Sequence, residues 1–322
     1  MKFKVIVSEG IVGIEKTKLN DSCTTYSIGI FQKPIEVARL HPEVNGMLVL
    51  LSHRIDRRVM ELLPELRVIS NYAVGYDNID VEEATQRGIL VTNTPDVLTE
   101  ATADLAWSLL LCAARRILEA DRFVRSGRFN GWMPDLFLGL DLAAKTFGVV
   151  GMGRIGGAVA RRANGFGMKV VYCDVRQRED IENELGAKRV DLERLLRISD
   201  VVSLHVPLVN DTRQLIGRKE LSIMKKDAIL INTSRGQVID EVALYQTLKE
   251  KRIRAAGLDV FQNEPEVNPA LFELDNVVLT PHIGSAGQET RERMAQIAVS
   301  NLIDALEGRM PQHPVNRPVK GW

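Results

Sequence analysis

The chain has 322 residues, 45% hydrophobic and 26% charged, which suits a globular protein with room for about two domains. Lys plus Arg and Asp plus Glu both number 42, so nothing in the formal net charge of zero calls for nucleic acid or an anionic membrane as partner. The opening "MKFKVIVSEG" has too short an apolar run for a signal peptide, and no segment approaches the ~20 apolar residues that span a bilayer.

Over residues 1–98, "FKVIVS", "GMLVLL", "LRVISNYAV" and "ILVTN" read as strands, with "RIDRRVMELLP" and "DVEEATQRG" as helices. Strands separated by helices imply parallel pairing under a helical cover. A long helix is expected from Thr99 to Ser126, with Thr99 as N-cap, Glu100 and Asp104 near the positive end and Gly127 as the stop. Its apolar residues are nearly continuous to Ala114, so its first half should be buried and the whole should connect two domains.

From Phe147 the alternation resumes with "FGVVG", "KVVYCD", "VVSLHV", "AILINTS", "AAGLDVF" and "VVLTPHI" as strands. Helices between them include "RIGGAVARRANGF", "DLERLLRIS", "ELSIMKK" and "DEVALYQTLKEK". Six apolar strands match a six-stranded doubly wound sheet. A last helix is expected over Gln288–Glu307, and the proline-rich tail "RMPQHPVNRPVKGW" should be extended.

"GVVGMGRIG", residues 148–156, carries G-x-G-x-x-G between a strand and a helix, and an acid, Asp174, closes the next strand. Gly151 allows the tight turn, Gly153 lets backbone approach a pyrophosphate, and Gly156 permits close helix–strand packing. The helix start, with Met152, Arg154 and Ile155, then faces phosphates with its N–H groups. A kinase loop would need H-R-D and D-F-G, and a nucleotide P-loop would need G-K-[S/T]; neither occurs. Asp174 suits the ribose hydroxyls of NAD and repels the 2′-phosphate of NADP, although Arg176 and Arg178 could bind that phosphate or simply be solvated.

Ligands in open parallel sheets bind beyond the carboxyl ends of the strands. Arg235 follows "AILINTS", Glu264 follows "AAGLDVFQN" and His282 follows "VVLTP". The trio suits reduction of a keto acid. Arg235 can hold a carboxylate and polarise the adjacent carbonyl, and the His282 imidazole can give a proton to the carbonyl oxygen. Glu264 would favour the charged imidazole and orient it. A lone strand-end arginine is more often a structural ion pair, so the three residues carry the reading together. His205, before Pro207, is assigned to the cofactor-pocket wall, and Asp259 could be structural or bind the nicotinamide amide. In "NYAVGYDNID", Gly75 would let successive N–H groups form an anion-binding concavity, with an ordinary tight turn as the alternative. Cys23, Cys112 and Cys173 are odd in number and far apart, which argues against disulfides or a zinc site and for a reducing cytosol.

Together "NYAVGYDNID", "TNTPDVLTEATADLAWSLLL", "GMGRIGGAVARRANGFGM", "INTSRGQVID", "AGLDVFQNEP" and "LTPHIGSA" resemble the D-isomer-specific 2-hydroxyacid dehydrogenases along essentially the whole chain, and the glyoxylate/hydroxypyruvate reductases most. The resemblance implies two Rossmann-like doubly wound α/β domains with an active-site cleft between them. Residues 99–288 would bind NAD, and residues 1–98 with 289–322 would form a discontinuous, flavodoxin-like substrate domain. It implies Arg235, Glu264 and His282 as the catalytic set, with Ser52 and the amides of Val74 and Gly75 helping to hold the substrate carboxylate. Around the cofactor it places Thr102, Arg154, Ile155, Asp174, Pro207, Thr233, Asp259 and Gly284, with Val206, Thr212 and Ser234 on the same strand-end loops. It further implies a cytosolic homodimer, with the loop carrying Trp132 near the neighbouring site, a small 2-oxo or 2-hydroxy acid as substrate, and no metal. Asp174-Val175 departs from the small polar residue and arginine of NADP-preferring members. Alternatives are a D-lactate or phosphoglycerate dehydrogenase, or a non-enzymatic NADH-sensing regulator on the same scaffold.

Overall fold

A computed structural model describes residues 2–318, so residues 319–322 of the expected extended tail lie outside the described residues. The described residues form two compact units, residues 2–98 with 285–318 and residues 99–284.

The first unit is built on a parallel sheet of β1 (Phe3–Ser8), β2 (Cys23–Ile28), β3 (Gly46–Val49), β4 (Val68–Asn71) and β5 (Leu90–Thr92). Its strand order is β2-β1-β3-β4-β5. The strand β2 is absent from the sequence reading. It pairs only with β1 at the sheet edge, so "CTTYSI" keeps polar residues in four half-buried or exposed positions and lacks an apolar run. Asp56 and Asp80 start the helices Arg57–Glu61 and Val81–Gln86 by accepting their first free N–H groups. These helices pack Val59, Met60 and Ala84 onto Met47, Ile69 and Val91. Helix Gln288–Leu306 is tied to β4, with Ser70 Oγ donating to the Ala298 carbonyl at 2.8 Å. Just beyond β4, the Tyr72 hydroxyl donates to the Arg291 carbonyl at 2.6 Å.

The second unit holds a seven-stranded parallel sheet. Its strands are β6 (Thr146–Val150), β7 (Lys169–Cys173), β8 (Lys188–Arg189), β9 (Val201–Leu204), β10 (Ile229–Asn232), β11 (Ala255–Leu258) and β12 (Val277–Leu279). The order β12-β11-β10-β9-β6-β7-β8 reverses direction between β6 and β9, which makes that junction the ligand-binding switch point of a doubly wound sheet. The six expected strands are joined by β8, a two-residue edge strand too short to show any period. Alternate residues face different cores. Ile229 and Ile231 pack with Trp107, Ala158 and Val159, whereas Leu230 packs with Leu195, Leu221 and Leu244.

The single helix expected over Thr99–Ser126 is instead two, Thr99–Arg115 and Ile117–Arg125, separated by Arg116 in the left-handed region with φ 54°. The cause is tertiary. The Ala114 carbonyl accepts the Leu140 N–H of the returning loop at 2.8 Å, and a Cβ on Gly139 would sit 2.4 Å from that oxygen. Arg116 then grips Glu119 with two hydrogen bonds, at 3.0 and 2.7 Å. Among the described residues, no helix is long and apolar enough to cross a membrane.

Candidate active site

The glycine loop follows β6, and its three glycines are required for different reasons. Gly151 has φ +93°, and a Cβ there would meet the His205 carbonyl oxygen at 2.6 Å. A Cβ on Gly156 would lie 2.1 Å from the Gly151 carbonyl oxygen, so helix and loop could not pack. Gly153, the N-cap of helix Arg154–Gly165, is different. A Cβ there would meet nothing within 4 Å, which leaves space for a phosphate to approach the backbone and the N–H groups at Arg154 and Ile155.

Asp174 ends the segment after β7 and ties two loops together: one carboxylate oxygen accepts the Met152 N–H at 2.7 Å and the other accepts the Arg176 N–H at 2.9 Å. Its basic neighbours are largely committed. Arg178 pairs with Asp180 at 2.7 Å and donates to the Met152 carbonyl, and Arg189 donates to the carbonyls of Asp174 (2.8 Å) and Val175 (3.2 Å). A groove of about 650 Å³ beside these strands is lined by Cys173, Asp174, Arg189 and Val190, among others.

On the loop after β9, burial pulls the His205 imidazole down to about 3, so the ring is neutral; its Nε2 lies 2.8 Å from Ser203 Oγ. Val206 and Pro207 follow, and the Thr212 hydroxyl closes the loop by donating to the Pro207 carbonyl at 2.6 Å. After β10, Ser234 Oγ donates to Asn232 Oδ1 at 2.8 Å, whereas the buried Thr233 hydroxyl oxygen has no partner among the described residues. An orphaned buried hydroxyl, open space above Gly153 and a carboxylate at the β7 end fit a dinucleotide.

Arg235, Glu264 and His282 come from the ends of β10, β11 and β12 in this unit. The Asn232 side chain shapes the Arg235 turn, donating to the Arg235 carbonyl at 2.9 Å and accepting the Ser234 N–H at 3.0 Å. Next to Arg235, a Cβ on Gly236 would sit 1.9 Å from the Phe261 carbonyl carbon, so the arginine turn lies directly against the segment leading to Glu264. Glu264 accepts the Phe261 N–H at 2.9 Å through one oxygen, and its other oxygen lies 2.7 Å from His282 Nδ1. Burial pushes the Glu264 carboxyl up, but the His282 hydrogen bond and charge, the Phe261 N–H and the Arg235 charge outweigh it and hold the group below the usual carboxylate range. An ionised Glu264 only accepts, so Nδ1 of His282 carries the proton and Nε2 is the nitrogen turned to chemistry.

His282 adopts φ 53°, unusual for a residue with a side chain, and its N–H donates to the Asp259 carbonyl at 2.9 Å. The buried Asp259 carboxylate accepts the Thr280 hydroxyl (2.7 Å) and the N–H groups of Ile283 and Gly284 (2.8 Å each). Burial pushes its carboxyl above the usual range against those bonds. Thr102, buried on its helix, lies against Gly284, with Cγ2 3.4 Å from where a Cβ would stand. The anchoring parts played by Asn232 and Thr280 were not read from the sequence; their only signal is a polar side chain at a strand end.

Ser52, Val74 and Gly75 belong to the first unit. Ser52 Oγ donates to the Ile30 carbonyl at 3.3 Å, and the N–H groups of Val74 and Gly75 have no partner among the described residues. No group of three or more His, Cys, Asp or Glu side chains among the described residues could hold a metal.

Residues 107–284 match the family described as D-isomer specific 2-hydroxyacid dehydrogenase, NAD binding domain. A glyoxylate reductase from Thermococcus litoralis is 56% identical over 281 residues, covering 86% of this chain and 85% of that protein. The chain belongs to the D-isomer-specific 2-hydroxyacid dehydrogenases. As such it has an NAD-binding domain and is an oxidoreductase acting on a CH–OH group. A crystal structure of a protein from Thermus thermophilus superposes with TM-score 0.91 at 44% identity, covering 98% of this chain and 100% of that one. An NADPH-dependent glyoxylate/hydroxypyruvate reductase from Sinorhizobium meliloti, solved with NADP and malonate, superposes with TM-score 0.89 at 35% identity, covering 98% and 97%.

Proposed function

We propose that this dehydrogenase reduces glyoxylate and hydroxypyruvate to their 2-hydroxy acids with NADH. The observation that carries the chemistry is the 2.7 Å contact between His282 and an ionised Glu264 that also feels the Arg235 charge. In this reading Arg235 binds the substrate carboxylate and polarises the neighbouring carbonyl. His282 gives its Nε2 proton to the carbonyl oxygen while Glu264 holds the ring by Nδ1. The reduced nicotinamide, when bound, supplies the hydride to the carbonyl carbon. The residues that would hold it are Gly151, Met152, Gly153, Arg154, Ile155 and Asp174, with Thr102, Val206, Pro207, Thr212, Thr233, Ser234, Asp259 and Gly284 around the ring and sugars.

NADH is favoured over NADPH because the Asp174 carboxylate stands at the β7 end while Arg178 and Arg189 are already paired or hydrogen-bonded. Ser52 and the free N–H groups of Val74 and Gly75 are assigned to the substrate carboxylate. A homodimer is proposed from the apolar side chains left exposed after Arg116, with Trp132 84%, Leu138 63% and Phe129 55% exposed. Three free cysteines suit a reducing cytosol.

The test is loss of absorbance of NADH or NADPH with glyoxylate, hydroxypyruvate, pyruvate and phosphohydroxypyruvate. Fastest NADH oxidation with the first two acids is expected. Preference for pyruvate would make it a D-lactate dehydrogenase, and no oxidation with any acid would favour a regulator. Light scattering should give twice the 35.9 kDa chain mass.

A further inference from the structure

We infer that Asn93 is a positioning residue for carboxylate recognition: its side-chain amide sets the direction in which the Gly75 N–H points. The inference rests on the reading that the Val74 and Gly75 amides receive the substrate carboxylate. A trans peptide is planar, with its C=O and N–H on opposite sides, so whatever grips one carbonyl aims the N–H of the next residue the other way. Asn93 Nδ2 donates to the Val74 carbonyl at 2.8 Å and so fixes the plane that carries the Gly75 N–H. The neighbouring Thr94 N–H donates to the Ala73 carbonyl at 2.9 Å and fixes the plane that carries the Val74 N–H. Two consecutive residues at the end of β5 therefore turn both amides away from the strand, and both lack partners among the described residues.

Asn93 is itself held. Its N–H donates to the His313 carbonyl at 3.3 Å, and its carbonyl accepts from Asn301 Nδ2 at 3.1 Å. The next peptide plane is fixed by the fully buried Asn71, whose Nδ2 donates to the Gly75 carbonyl at 2.7 Å. Asn78 Nδ2 then joins Asn71 to the loop bearing Ser52, donating to Asn71 Oδ1 (3.2 Å), Leu50 O (3.2 Å) and His53 O (3.1 Å). A structural role alone would need none of this to converge on carbonyls whose partner amides are left open.

The test replaces Asn93 by Ala and, because a half-buried site can disturb folding, separately by Ser. Steady-state kinetics are read against glyoxylate, with oxalate as a dead-end inhibitor and fluorescence titration of NADH as control. The expected result is a rise of about tenfold in both KM for glyoxylate and the oxalate inhibition constant, with kcat and NADH affinity within about twofold. A soluble variant with KM and oxalate inhibition unchanged overturns the inference, as does one in which only kcat and melting temperature fall. Wild-type protein that oxidises NADH with no 2-oxo acid overturns the underlying reading instead, and shows itself before any variant is made.

Discussion

Glu264→Gln is the most demanding test of the proposed acid–base pair. The two carboxylate oxygens face two donors, the Phe261 N–H at 2.9 Å and His282 Nδ1 at 2.7 Å. Glutamine keeps the size but has one acceptor oxygen, so it must turn an NH₂ toward one of those donors. If the oxygen stays on Phe261, the imidazole loses a charge-assisted bond, worth about 1.5–3 kcal/mol, or ~10- to 150-fold in rate. Both side chains are 33% exposed, so solvent screens part of that charge and the lower part of the range applies, ~10- to 50-fold in kcat. Stopped-flow measurement of NADH oxidation under single-turnover conditions isolates the step from product release. NADH affinity should be unchanged. A Glu264→Gln enzyme within about twofold of wild type in the single-turnover rate would remove Glu264 from any orienting role.

The glycine loop separates packing from binding. Gly156→Ala, whose Cβ would lie 2.1 Å from a carbonyl oxygen, should lower the melting temperature or prevent folding, whereas Gly153→Ala, with open space, should melt like wild type and lose NADH affinity about tenfold or more; thermal scans and fluorescence titration check both. Asp174→Ser should lower the NADH-to-NADPH ratio of kcat/KM by about tenfold or more, measured with both cofactors at saturating glyoxylate. The Glu264 carboxyl is held below its ordinary range, so its stabilising contribution is fully present above the unfolded value near ~4.3 and is lost as pH falls through the folded value. Urea midpoints of wild type and Glu264→Gln should therefore converge in acid, and a gap that widens below about pH 4 would reverse the assigned direction.

Most of the second unit was legible because its strands are buried on both faces and read as unbroken apolar runs, and because glycine spacing there reports steric facts such as the Gly156 contact. The family resemblance drawn from those same segments agrees with the match over residues 107–284. Of the four edge strands, β5 and β12 were legible as apolar runs, whereas β2 and β8 were not. Half of β2 meets solvent, and β8 has two residues. The break at Arg116 was hidden for another reason: local propensity favours continuing the helix, and what stops it is a loop that returns from Leu140 to take the Ala114 carbonyl. At the candidate site, strand-end position singled out Arg235, Glu264 and His282, since that rule needs only the order of elements. The anchoring amides of Asn232, Asn71 and Asn93 needed side-chain directions, which spacing does not encode.

The left-handed turn at His282 has a kinetic corollary. Its amide is clasped by the Asp259 carbonyl, while the Asp259 carboxylate clasps the Thr280 hydroxyl before it and the Ile283 and Gly284 amides after it, so the imidazole is mounted on a knot tied by one buried residue. A donor held this way is already aimed before an acid arrives, and little rearrangement remains to be made at the moment of proton transfer. Slackening the knot, by shortening or neutralising Asp259, should show first as a steeper temperature dependence of turnover, well before the fold itself gives way.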